Sequence, residues 1–190
     1  RSVPMEELLN EAKRLASEGV KELVLVAQET TLYGKDLTGE KQLPLLLHEL
    51  CKIEGIEWIR LLYCYPEEIT DELIEVIKTE EKVCNYIDMP IQHSENRILQ
   101  RMGRRTSRED LVAVIKKFRK EIPDITIRTT LITGFPGESQ EDHEGLMNFV
   151  EECKFDRLGV FTYSPEEDTL AATFEDQIDE EVKEERRDEL

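Results

Sequence analysis

The stretch ITIRTTLITGFPGES, residues 125–139, decides how the rest of the chain is read. Its first part is rich in Ile, Leu and Thr, the composition of a buried strand. The run ends in Gly134, and Phe135, Pro136, Gly137 and Glu138 follow. Two glycines so close together suit a tight turn, a phosphate cradle, or a ligand lying against bare backbone. Ser139, with Asp142 three residues on, then makes a capping box for a helix carrying Leu146, Phe149 and Val150. Strand, turn and helix in that order are one βα unit.

The same unit recurs in both directions. Helical spacing of Met5, Leu8, Leu9, Ala12, Leu15 and Ala16 opens the chain, started by Ser2 and Pro4 and ended by Gly19. The strand ELVLVAQ follows, then a helix with Leu45, Leu46, Leu50 and Ile53, then the strand WIRLLYCY. A third helix has Thr70 as its N-cap, with two acids in its first turn. The strand YIDMPI leads through SENRILQRM to a helix whose capping box is expected at Thr106 and Glu109, with Leu111, Val114, Ile115 and Phe118 on its apolar face. Beyond the central unit come the strand RLGVFTY, the loop SPEEDTLAA and an acidic helical tail. Strand starts near 23, 58, 86, 125 and 157 are about 28 to 39 residues apart, as parallel strands with crossover helices require. No glycine-rich phosphate loop follows the first strand, which argues against a dinucleotide fold and for a parallel barrel.

A net charge of −18 on 190 residues means an acidic surface that repels phosphate backbones, so nucleic acid is an unlikely partner for this segment. The cysteines Cys51, Cys64, Cys84 and Cys153 form no Cys-x-x-Cys pair. They are expected to be reduced and unable by themselves to build a zinc or iron–sulfur site. No apolar run approaches the roughly 18 residues of a membrane span and there is no signal peptide, so a cytoplasmic protein with no membrane partner is expected. A start at Arg1 and a finish inside a helical pattern predict an interior piece of a longer protein.

A parallel barrel places its site on the loops after strand C-termini. Those loops carry AQETTLYG, YCYPEE, IQHSENR, TGFPGES and TYSPEEDT. The candidates they supply are Gln28, Thr30, Tyr33, Gln92, His93, Gly134, Gly137, Glu138 and Tyr163, joined by Arg128 and Phe161 from the strands. Each has a plain structural alternative. Gln28 and Gln92 can be loop hydrogen-bonders and His93 a satisfied strand-end histidine. Arg128, in an apolar strand, needs an anionic partner that is either ligand or carboxylate. Phe161 and Tyr163 can be core, as Trp58 is expected to be. His48 and His143 lie on charged helices and read as surface.

These blocks resemble, in order and spacing, the radical SAM methylthiotransferases. The resemblance is carried by GVKELVLVAQETTLYGKDL, LLYCYPEEITDELIEVI, DMPIQHSENRILQRMGRRTS, IRTTLITGFPGES and FDRLGVFTYSPEEDT, and it spans essentially the whole chain. QHS in place of Gln-Ser-Gly, CYP in place of Ser-His-Pro, and TYSPEEDT favour the subfamily that modifies an aspartate of a small-subunit ribosomal protein. The rival is the tRNA-modifying MiaB group; from another class, a cluster-free barrel serving as scaffold or metabolic enzyme is the alternative.

The resemblance implies an α/β fold, a partial parallel (β/α) barrel of radical SAM type whose first strand this chain lacks. It implies a transferase using S-adenosylmethionine and two 4Fe-4S clusters, with a reductant and a sulfur donor as further partners. The cluster-binding Cys-x-x-x-Cys-x-x-Cys motif is not in this sequence, so the chain alone is expected to be inactive and to bind no radical-generating cluster. Residues 1–175 would be the radical SAM core and 176–190 an acidic helical linker toward a TRAM domain. By position, Gln28, Thr30 and Tyr33 would line the methionine end, with Arg128 on its carboxylate. Gln92 and His93 would reach ribose or peptide, while Gly134 to Glu138 with Phe161 and Tyr163 would flank an uncharged adenosine. Asp168 stands where the family pattern has glycine; if that position needs positive φ, Asp is among the less costly replacements.

Overall fold

The computed structural model describes residues 1–190. The parallel strands β1 (Glu22–Leu25), β2 (Trp58–Leu61), β3 (Tyr86–Asp88), β4 (Thr126–Thr133) and β5 (Arg157–Thr162) begin where the sequence places them. Helices α1 (Met5–Ser17), α2 (Lys35–Thr38), α3 (Leu43–Cys51), α4 (Asp71–Thr79), α5 (Asn96–Arg101), α6 (Arg108–Glu121), α7 (Gln140–Cys153) and α8 (Glu180–Glu189) fill the intervals and the C-terminal segment. The chain divides into two compact units: residues 1–89 with 117–127, and residues 90–116 with 128–190.

In the first unit β1 and β2 pair in parallel, Leu23 opposite Ile59 and Leu25 opposite Leu61. Leu23, Ile59 and Leu61 are buried, as are Leu43, Leu46, Leu47 and Leu50 of α3 and Leu73, Ile74 and Ile77 of α4. Strand alternation turns positions 58 and 60 the other way. Trp58 is therefore 51% exposed, which corrects the expectation that it is core. Thr70 caps α4 as expected, its hydroxyl accepting the Leu73 amide at 3.2 Å.

In the second unit β4 pairs with β5 in parallel from Arg128 opposite Arg157 to Thr133 opposite Thr162. Burial alternates along β4: Ile127, Thr129, Leu131 and Thr133 are covered, whereas Arg128, Thr130 and Ile132 lie on a more open face. The Ser139–Asp142 capping box of α7 is formed with both reciprocal bonds. The cap of α6 sits one residue later than expected: Ser107 and Asp110, not Thr106 and Glu109, exchange the capping bonds. His143 is also corrected. It is fully buried, with Nε2 2.7 Å from Glu189 of α8.

Candidate functional site

The 134–138 turn is held within the second unit by backbone and side-chain hydrogen bonds. Gly134 and Gly137 have φ of +69° and +83°, a region open to glycine at little cost. The Gly134 amide donates to Glu138 Oε2 at 3.0 Å and the Ser139 amide to Asp142 at 2.7 Å. The Gly137 amide donates to the Asp176 carbonyl at 2.8 Å and the Glu138 amide to that of Phe135 at 2.9 Å. A phosphate cradle needs several free amides; these four are spent, and Pro136 has none.

Three successive carbonyls of the turn each accept from an arginine. Pro136 takes Nε of Arg101 at 3.1 Å, Gly137 takes Nη2 of Arg97 at 2.7 Å, and Glu138 takes Nη1 of Arg186 at 3.1 Å. Arg97 also pairs with Asp142. Asp142 balances opposing effects: burial pushes its carboxyl up, but the Ser139 hydroxyl and amide together with Arg97 outweigh that and hold it below the usual carboxylate range. The space beside the glycines is filled by the chain itself. A methyl group added at Gly134 would lie 2.2 Å from Cγ of Lys183, and one at Gly137 would lie 2.4 Å from Oδ2 of Asp176.

Around this turn the other candidates separate by role. Glu138 is buried, with Oε1 2.7 Å from Arg186 Nη1. His93 is buried beside it: Nδ1 accepts the Glu95 amide at 3.0 Å, which leaves the proton of a neutral ring on Nε2, 3.3 Å from Glu138 Oε2. That contact is too poorly directed to count as a hydrogen bond. Tyr163 packs with Ile98 and Phe135, its ring edge-on to Phe135 at 5.2 Å, and its buried hydroxyl has no partner. Gln92 bridges to β4 through Thr130 and Ile132 with φ of +72°, a strained conformation for a non-glycine residue. Phe161 is 58% exposed. Arg128 begins far from the turn, opposite Arg157, and its guanidinium reaches the neighbourhood of Gly159. A methyl group placed on Gly159 would lie 3.5 Å from the Phe161 ring and 4.0 Å from Nη2 of Arg128. The two side chains converge over bare backbone on the open face of β4 and β5.

In the first unit Gln28 is exposed after β1. Thr30 is buried and committed, its hydroxyl donating to the Leu62 carbonyl at 2.6 Å and its amide to that of Tyr63 at 3.0 Å. The Tyr33 hydroxyl donates to the Val3 carbonyl at 2.9 Å. The group that the sequence reading missed is Glu29. Its Oε1 accepts the Thr31 amide at 2.8 Å and the Thr31 hydroxyl, while Oε2 is buried without a partner. Burial lifts its carboxyl above the ordinary range, against the pull of the Thr31 hydrogen bonds. The signal for it was present: a lone acid directly after the strand, beside Gln28. Asp168, in the loop after β5, has φ of +64°, which is the conformation that the family's glycine would supply.

The family model of the radical SAM superfamily matches residues 1–150. The chain belongs to the radical SAM superfamily. It is 65% identical over its whole length to the ribosomal protein uS12 methylthiotransferase RimO of Lachnoclostridium phytofermentans, and 58% identical to that of Clostridium perfringens strain SM101. It spans 43% of the length of these relatives. Among solved structures it resembles the radical SAM enzyme HemN of Escherichia coli, with TM-score 0.74 and 20% identity over 97% of this chain and 44% of that one. It also resembles the radical SAM methyltransferase TsrM of Kitasatospora setae, with TM-score 0.66 and 16% identity over 84% of this chain and 31% of that one. The α/β fold with parallel strands is therefore of the radical SAM type, and membership implies S-adenosylmethionine and a 4Fe-4S cluster.

The chain's own cysteines do not suit that cluster. Cys64 and Cys153 are buried, and no three Cys, His, Asp or Glu side chains gather as metal ligands. The residues do suit the organic cosubstrate. In the second unit Phe161 offers an exposed flat ring beside the bare backbone of Gly159. No helix is long and apolar enough to cross a membrane.

Proposed function

We propose that this chain is the cosubstrate-binding core of a radical SAM methylthiotransferase that adds a methylthio group to the β-carbon of an aspartate in ribosomal protein uS12. The observation that carries the reading is the 65% identity to a RimO enzyme over the whole of this chain. In such an enzyme bound S-adenosylmethionine supplies the adenosyl radical and the methyl group. The chain's part is to bind and orient.

In the first unit Glu29 Oε2 is buried without a donor and Gln28 lies exposed beside it. In the second unit Phe161 gives the adenine a face to stack on, and Arg128 leans over the same open patch of strand. His93, Glu138 and Tyr163 are buried and hold the turn from behind. Two clusters, a reductant and a sulfur donor complete the proposed system, and the cytoplasm is its compartment.

The test is to delete the gene and weigh both candidate substrates. Loss of a methylthio group from uS12 with tRNA unchanged supports the reading. Loss from a tRNA adenosine with uS12 unchanged overturns it in favour of the tRNA-modifying alternative.

A further inference from the structure

Helix α8 is unusual in what it buries. Its sequence EEVKEERRDE is almost entirely charged, yet Lys183 and Arg186 are 3% and 7% exposed. With Glu189 they recur at three-residue spacing, which puts all three on one helix face. Lys183 Nζ donates to the Tyr163 carbonyl at 3.0 Å and to Glu180 at 3.0 Å, and its aliphatic stem lies against Gly134. Arg186 Nη1 binds both the Glu138 carboxylate and its carbonyl. Glu189 meets the buried His143. The hydroxyl of Thr133, the last residue before the turn, donates to the Lys183 carbonyl at 3.3 Å.

A ten-residue helix of this composition has little stability alone. It is held by polar contacts to the glycine turn and the ends of β4 and β5, and it holds them in return. We infer that α8 is a polar clasp whose Lys183 and Arg186 are positioning residues, fixing the 134–138 turn and the Tyr163 strand end and, through them, the β4–β5 face on which the adenine of S-adenosylmethionine stacks. The inference rests on the reading, given under Proposed function, that the adenine stacks on Phe161 in this unit. Without the clasp Glu138 keeps its bond to the Gly134 amide but loses its charge partner, and the turn is left to Arg97 and Arg101 on its other side.

The experiment uses the whole protein, purified with its clusters, carrying Lys183→Met, Arg186→Gln or Arg186→Lys. Two readouts are taken together: hydrogen exchange of the Gly134, Gly137 and Glu138 amides, and the KM for S-adenosylmethionine against kcat. The clasp predicts that Arg186→Gln speeds exchange at the turn at least about tenfold, the loss of a hydrogen bond between charged groups. Amides of β1 and β2 stay unchanged. KM rises by a similar factor, kcat moves little, and Arg186→Lys recovers part of both. Unchanged exchange at the turn overturns the clasp itself. Faster exchange with an unchanged KM shows a clasp that does not position cosubstrate, which overturns the adenine-side reading of this unit while leaving methylthiolation of uS12 standing. If Arg186→Gln unfolds the whole protein, Lys183→Met and Arg186→Lys decide by the same two readouts.

Discussion

Adding one methyl group at Gly134 tests how tightly α8 and the glycine turn are joined. Two costs are distinguishable in the structure. At φ of +69° any side chain is in the left-handed region, which costs roughly 1–2 kcal/mol. The new methyl also meets Lys183 Cγ at 2.2 Å, Cβ at 3.0 Å and Cδ at 3.1 Å. The Lys183 Cβ moves only if the helix moves, so the overlap is an overpacking cost of about 1–3 kcal/mol. Gly103 supplies the control, because it has nearly the same φ, +73°, and nothing within 4 Å of an added methyl. Gly103→Ala should therefore cost only the backbone part, and Gly134→Ala should exceed it by at least about 1 kcal/mol. A third variant closes a cycle. Lys183→Ala removes Cγ and Cδ, so Gly134→Ala should cost about 1 kcal/mol less in that background. Native-state hydrogen exchange at the Tyr163 amide, bonded to the Thr133 carbonyl at 2.8 Å, reports the stability of the second unit. Tryptophan fluorescence does not, since the lone tryptophan, Trp58, lies in the first unit. Equal costs for Gly134→Ala and Gly103→Ala would refute the reasoning.

Further outcomes follow from single groups. Glu29 is held above the usual carboxylate range by burial, so the stability it contributes is present below the unfolded value of 4.5 and is lost as pH rises through its folded one. Glu29→Gln should accordingly raise the melting temperature near about pH 7 and not near about pH 4. Asp142 has the opposite sign: its contribution is present above the unfolded value of 3.8 and disappears as pH falls through its lowered one, so Asp142→Asn should flatten the acid limb of a melting-temperature profile. Burial, then Glu80, pushes the Cys51 thiol up to about 11. Its alkylation at about pH 8, followed by peptide mass spectrometry, should be roughly a hundredfold slower than that of a free thiol. Gly159 has no positive φ and meets only ordinary contacts. Gly159→Ala should stabilise the second unit by roughly 0.5–1 kcal/mol and still reduce cosubstrate affinity; unchanged affinity would mean that no ligand lies on that face.

The fold was legible because period and punctuation agree along the chain. The five strands and the Thr70 and Ser139 caps all stand where composition and turn chemistry put them. What escaped were contacts between segments distant in sequence. His143 sits among Glu141, Asp142 and Glu144 and reads as surface, but its partner, Glu189, is 46 residues away. Trp58 reads as core by its size, yet strand alternation gave the covered face to Ile59 and Leu61. The glycines of the turn were read as room for a ligand, and a lysine from α8 fills the space beside Gly134. Nothing local in EEVKEERRDE tells Lys183 and Arg186 from their solvated neighbours, because the carboxylate and carbonyls that receive them lie in other motifs. Glu29 was missed for the reverse reason. The motif was recognised as a whole, but only the structure shows which of its side chains keeps a buried oxygen without a donor.

The central claim is that this core serves a methylthiotransferase whose target is a protein side chain. Its most direct test is to incubate the whole reconstituted protein with S-adenosylmethionine, a reductant, a sulfide source and purified uS12, and to fragment the product by tandem mass spectrometry. The account predicts one methylthio group on the β-carbon of a single aspartate. Unmodified uS12, from a protein that cleaves S-adenosylmethionine and methylthiolates tRNA under the same conditions, would contradict it.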